Sequence, residues 1–139
     1  MAKHRLLIVE DDPGLNQSLR AYFKWDYEVV TADDGQVAYH LAQISEPDLI
    51  ILDIILPTMD GIEFCHMIKA IPNLRTIPVI VITGKPLEEI EDFIKEMGIG
   101  IILQKPFEMK DLATHINDLL FHIPPIVKKM TVLEIQGYE

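Results

Sequence analysis

The sequence holds one cysteine in 139 residues, so no internal disulfide can form, and Cys65 has no second cysteine or neighbouring histidine to complete a metal signature. This fits a reducing compartment, with Cys65 read as a small buried apolar residue. Basic residues are scarce too: 12 lysines and arginines against 22 acids give a formal charge of −10. A surface of that sign repels nucleic acid and anionic membranes, which leaves any output to DNA to another chain or domain. Long apolar runs are missing. Leu6 to Val9 is too short for a signal-peptide core, and nothing approaches the roughly 18 residues of a membrane span. A soluble, cytoplasmic protein without membrane contact is expected. Nor is there a glycine-rich phosphate loop after the first apolar run, where the sequence is acidic; Gly98 and Gly100 precede a strand candidate instead of opening a helix. That argues against a flavin or dinucleotide binder.

What is present is the composition of an ordinary globular domain, 49% hydrophobic and 24% charged, in a length suited to one core. Short β-branched runs alternate with segments of helical period. The strand candidates are Arg5 to Glu10, Glu28 to Thr31, Asp48 to Asp53, Pro78 to Thr83 and Gly100 to Gln104. All but the second are nearly continuous apolar runs, as strands covered on both faces should be, and the mixed second suits a sheet edge. The helix candidates are Pro13 to Lys24, Asp34 to Ser45, Gly61 to Ala70, Pro86 to Met97 and Glu108 to Phe121. Leu87, Ile90, Ile94 and Met97 recur at helical spacing with acids between them, a core-facing stripe. The implied fold class is α/β: a flavodoxin-like, doubly wound, five-stranded parallel sheet in the order 2-1-3-4-5 with five flanking helices. Ligand chemistry in such sheets gathers beyond the carboxyl ends of the strands, near the switch point between strands one and three. Residues 123–139 follow Pro124 and Pro125, which should stop the last helix; they read as a C-terminal tail or linker stub.

The strand ends carry the chemistry. The first runs into Glu10, Asp11 and Asp12, the third ends in Asp53, the fourth in Thr83, and the fifth is followed by Lys105. Carboxylates brought together repel one another unless a cation neutralises them, and Mg2+ suits oxygen donors of this kind. An aspartate beside such an ion can act as nucleophile toward a phosphoryl group, with a lysine and a hydroxyl around the phosphoryl oxygens. Each residue has a plainer reading alone: Asp11 or Asp12 as a helix cap, Asp53 as a strand end, Thr83 as a strand residue, Lys105 as a loop charge. Their joint placement favours the chemical reading. His4, His40, His66, His115 and His122 show no paired metal spacing.

The combination of IVEDD, LDIILPTMDG, VITG and LQKPF, in that order and spacing, resembles the response-regulator receiver family of two-component signal transduction over residues 4 to about 122. The resemblance implies Asp53 as phosphoacceptor, Asp11 as a direct Mg2+ ligand, Glu10 as its neighbour acting through water, and the Ile55 backbone carbonyl as a further ligand. Thr83 and Lys105 match the pair that contacts the phosphoryl group, and a cis peptide is implied between Lys105 and Pro106. It also implies a phosphorelay switch that catalyses only its own phosphorylation and dephosphorylation. The partners implied are a histidine kinase or histidine phosphotransfer protein and a downstream protein or output domain, read out on the side of the fourth helix, fifth strand and fifth helix.

The sequence departs from the family pattern three residues before Lys105, where Ile102 stands in place of the usual aromatic residue. The arginines of one DNA-binding branch's dimer face are also lacking. Ile55 lies two residues after Asp53, where an aspartyl-phosphate phosphohydrolase would carry a second acid. A degenerate receiver serving only as an interaction module is a further alternative, and the intact set of acids with Thr83 and Lys105 argues against it.

Overall fold

Three aspartates set where helices begin in the computed structural model, which describes residues 3–122. Asp12 accepts from the Leu15 N–H at 2.8 Å, Asp34 from Val37 at 2.8 Å and Asp60 from Ile62 at 2.6 Å, each relieving a backbone donor that a first turn leaves unpaired. Of the two cap candidates near the first helix, Asp12 is the cap. The elements follow as β1 (Arg5–Val9), α1 (Pro13–Phe23), β2 (Glu28–Ala32), α2 (Gly35–Ser45), β3 (Leu49–Asp53), α3 (Gly61–Lys69), β4 (Val79–Thr83), α4 (Leu87–Met97), β5 (Ile101–Gln104) and α5 (Met109–Asn117). All pairings are parallel and the strand order is β2-β1-β3-β4-β5, the expected doubly wound sheet with β2 at an edge.

The alternation of strand side chains divides the core into two layers. Leu7, Val9, Ile50, Leu52, Val79, Val81 and Ile102 face α2, α3 and α4, where they meet Ala38, Ala42, Phe64, Cys65, Ile68, Ile90 and Phe93. Leu6, Ile8, Leu49, Ile51, Ile80, Ile82 and Ile101 face α1 and α5, against Leu19, Phe23, Leu112 and Ile116. Both faces of the central strands are thus dry, which is why their sequences run apolar without alternation.

The fifth helix differs from its expected course. It is α-helical only to Asn117, and Asp118–His122 forms a π-helical turn that keeps Leu119 packed in the layer of Leu112 and Ile116. The expected tail, residues 123–139, lies outside the described residues.

At the amino ends of the strands, Arg5 binds three segments together. Its side chain pairs with Glu28 of β2 at 2.9 Å and donates to the Ser45 carbonyl at the end of α2, while its backbone N–H donates to Asp48 at 2.7 Å. A cation at the carboxyl end of α2 also meets the negative end of that helix dipole.

Candidate functional site

At the opposite end of the sheet the strands deliver polar groups into a dry environment. Glu10, which follows β1, is fully buried; Asp53, ending β3, is 3% exposed; Thr83, ending β4, is buried. Asp11 stays exposed. Carboxylate oxygens of Glu10, Asp11 and Asp53 all lie within 4.8 Å of one another, the sole such cluster among the described residues. The Lys105 ammonium reaches between two of them, 2.7 Å from Glu10 Oε1 and 2.7 Å from Asp53 Oδ2.

Backbone donors orient the same acids. The Ile55 N–H donates to Asp53 Oδ1 at 3.0 Å and the Asp12 N–H to Glu10 Oε2 at 3.0 Å, so each oxygen of the two buried carboxylates has a partner. Thr83 ends β4 one residue beyond Ile82, the register partner of Asp53, and its hydroxyl accepts from the Lys85 N–H at 3.1 Å. The Lys105 N–H donates to the Thr83 carbonyl at 2.8 Å, holding the end of β5 against β4, and the Lys105–Pro106 peptide is cis.

The electrostatics are unbalanced. Burial pushes the Glu10 carboxyl above its ordinary value, the hydrogen bonds from Lys105 and the Asp12 N–H pull it back, and the charge of Asp53 raises it again; the net direction is up. Burial works against the Lys105 ammonium, yet its hydrogen bonds to Asp53 and Glu10 outweigh that and hold it above its ordinary value. Three carboxylates against one ammonium leave negative charge that an oxygen-seeking divalent cation would neutralise. An all-oxygen donor set of two buried acids and one exposed one, on fixed strand ends, fits Mg2+.

The structure therefore brings Glu10, Asp11, Asp53 and Lys105 together and sets Thr83 on the adjoining strand end. Ile55 stands in the loop just past Asp53 with its side chain 52% exposed. Ile102 is buried in the α4 layer, not displayed at the surface. Sequence reasoning missed Asn16, whose side-chain amide donates to the Glu10 carbonyl at 2.9 Å and so steadies the segment carrying both acids. Its only signal was a polar residue next to Leu15 in the first helix.

Comparison with known proteins agrees with this fold. The family model described as the response regulator receiver domain matches residues 6–117. Histidine kinase P4 of Formosa agariphila is 35% identical over 120 residues, covering 85% of this chain and 9% of that protein. The chain spans about half the length of the curated regulators it matches and about a tenth of the histidine kinases. Among solved structures, chemotaxis response regulator CheY4 of Vibrio cholerae superposes with a TM-score of 0.78 at 28% identity, covering 85% of this chain and 99% of that one. The receiver domain of sensor histidine kinase PA1611 from Pseudomonas aeruginosa, with a magnesium ion coordinated in its active-site cleft, superposes with a TM-score of 0.76 at 29% identity, covering 84% and 96%.

Proposed function

The chain belongs to the response regulator receiver family, and on that premise we propose that it accepts a phosphoryl group on Asp53 in a magnesium-dependent reaction and thereby switches its partner interactions. The observation that carries this reading is the Lys105 ammonium bridging Asp53 and Glu10 at 2.7 Å each, with Asp11 beside them. A carboxylate oxygen of Asp53 attacks phosphorus, the O–P bond forms, and the P–N bond to the donor histidine breaks as its ring nitrogen leaves with the electron pair. Lys105, already in contact with Asp53, neutralises charge on the phosphoryl oxygens, and the Thr83 hydroxyl donates to one of them. The Ile55 N–H keeps Asp53 in its rotamer. Glu10, Asp11, Asp53 and the Ile55 carbonyl would hold Mg2+, which supplies further neutralisation when bound.

The magnesium in the active-site cleft of the PA1611 receiver supports the same assignment here. The phosphodonor is a histidine kinase or histidine phosphotransfer protein, and the readout is a downstream protein or output domain, in the cytoplasm. The chain acts as a signalling switch, with the receiver in residues 1–122 and a tail in 123–139. Ile102 transmits the movement of Thr83 through packing against α4; Thr83 fixed in place with and without a phosphoryl mimic would refute this. No helix among the described residues is long and apolar enough to cross a membrane.

Acetyl phosphate and Mg2+ should add the mass of one phosphoryl group to the intact protein, and Asp53→Asn or a chelator should abolish the gain. If neither acetyl phosphate nor a panel of phosphorylated histidine kinases modifies the wild type, the interaction-module reading takes its place.

A further inference from the structure

The first turn of α2 rests directly on the loop that follows Asp53. A methyl group on Gly35 would stand 2.1 Å from the Met59 carbonyl oxygen and 2.8 Å from Met59 Cβ, distances no side chain tolerates. Met59 is 8% exposed and packs in the layer that holds Ala38 and Ala42 of α2 together with Ile54. The loop from Ile54 to Asp60 is also closed across its base. Gly61 N–H donates to the Ile54 carbonyl at 2.8 Å, and a Cβ on Gly61 would lie 2.7 Å from the Asp53 carbonyl oxygen. Thr58 takes a left-handed conformation, φ 61°, and the Met59 N–H turns back to the Pro57 carbonyl at 2.7 Å. With its base closed between Ile54 and Gly61 and Met59 held beneath α2, the loop is fixed at both places, and Ile55 lies between them. Ile55 in turn holds Asp53 Oδ1 through its N–H.

We propose that Gly35 is a positioning residue for the phosphoacceptor: by letting α2 seat on Met59 it sets the loop that carries Ile55, and through the Ile55 N–H the orientation of Asp53. The consequence for cation binding rests on the proposed function; the consequence for Ile55 does not. A side chain at Gly35 meets backbone, which cannot fold away as a flexible side chain could, so the strain passes into the loop.

The test compares Gly35→Ala with wild type and with Gly14→Ala, a helix glycine whose Cβ would meet nothing closer than Asp12 Oδ2 at 3.5 Å. In cation-free protein, Gly35→Ala should shift the Ile55 amide resonance and speed its hydrogen exchange, while Gly14→Ala should leave both unchanged. By calorimetry, magnesium affinity should fall roughly ten- to a hundredfold in Gly35→Ala, as it does when a group orienting a ligand is disturbed. An Ile55 amide that shifts and exchanges as in wild type overturns the proposal. So does an unchanged magnesium dissociation constant, provided the wild type binds the ion. If the wild type binds no magnesium and takes no phosphoryl group, the functional reading fails, and the Ile55 amide alone still decides whether Gly35 sets the loop. If Gly35→Ala does not fold, Met59→Ala keeps the backbone contact but loosens the side-chain packing beneath α2 without a clash; an Ile55 amide that shifts and exchanges faster then supports the proposal, and one that behaves as in wild type overturns it.

Discussion

The two ends of the sheet handle charge in opposite ways. At the amino end, the Arg5 guanidinium meets Glu28 and the Ser45 carbonyl, and Asp48 takes the Arg5 N–H, so the charges are met within the protein, and among the described buried side-chain donors and acceptors Arg5 Nε alone lacks a hydrogen-bond partner. At the carboxyl end, Glu10, Asp11 and Asp53 crowd around a single ammonium, and Glu10 is buried with its carboxyl pushed up. A matched cluster stabilises what is already there. An unmatched one keeps a standing affinity for charge the protein does not itself supply, at some cost in stability.

Removing charge from either end should therefore have different readouts. The largest effect expected is at Lys105: Lys105→Ala should slow phosphorylation of Asp53 by acetyl phosphate on the order of a hundredfold at saturating Mg2+, as for other losses of a charge-stabilising donor. An unaltered rate would mean that Lys105 only balances resting charge. Next comes Ile55, exposed beside Asp53; the aspartyl phosphate should last several times longer in wild type than in Ile55→Asn, because the apolar side chain hinders the attacking water. A half-life no longer in wild type would overturn that role.

Arg5→Ala should act at the other end, lowering unfolding free energy by about 1–3 kcal/mol through lost hydrogen bonds to charged groups, with the phosphorylation rate of the folded protein unchanged. Loss of phosphorylation with stability intact would reverse the comparison. The smallest effect at neutral pH belongs to Cys65, in the interior between the two ends. Burial pushes its thiol from 9.0 up to about 12. Because the folded value is the higher one, its contribution to stability is complete below pH 9 and is lost as pH rises from 9 toward about 12. The native thiol should stay inert to a disulfide reagent at neutral pH, and rapid labelling without unfolding would contradict this.

The sheet was readable because its central strands are apolar on both faces while Glu28 to Ala32 is mixed, a contrast that follows from burial alone. The acids and Lys105 were readable because they stand at strand ends that one topology gathers. Arg5, Asn16 and Gly35 were not. Arg5 and Gly35 act on segments distant in sequence, at Ser45 and Met59, and Asn16 reaches back past the helix start to the Glu10 carbonyl. Nothing in the local pattern of a polar or small residue says which neighbour it will meet.

The sequence by itself determined the alternation of strands and helices and the chemical types available at one end of the sheet, because periodicity and composition act over a few residues. Only the tertiary structure decided that Lys105 lies between Asp53 and Glu10, that Asp11 joins the acidic cluster with Asp53, and that α2 seats on the loop beside Asp53. Those outcomes depend on distances between segments far apart along the chain, and close packing settles such distances only once the whole core has assembled.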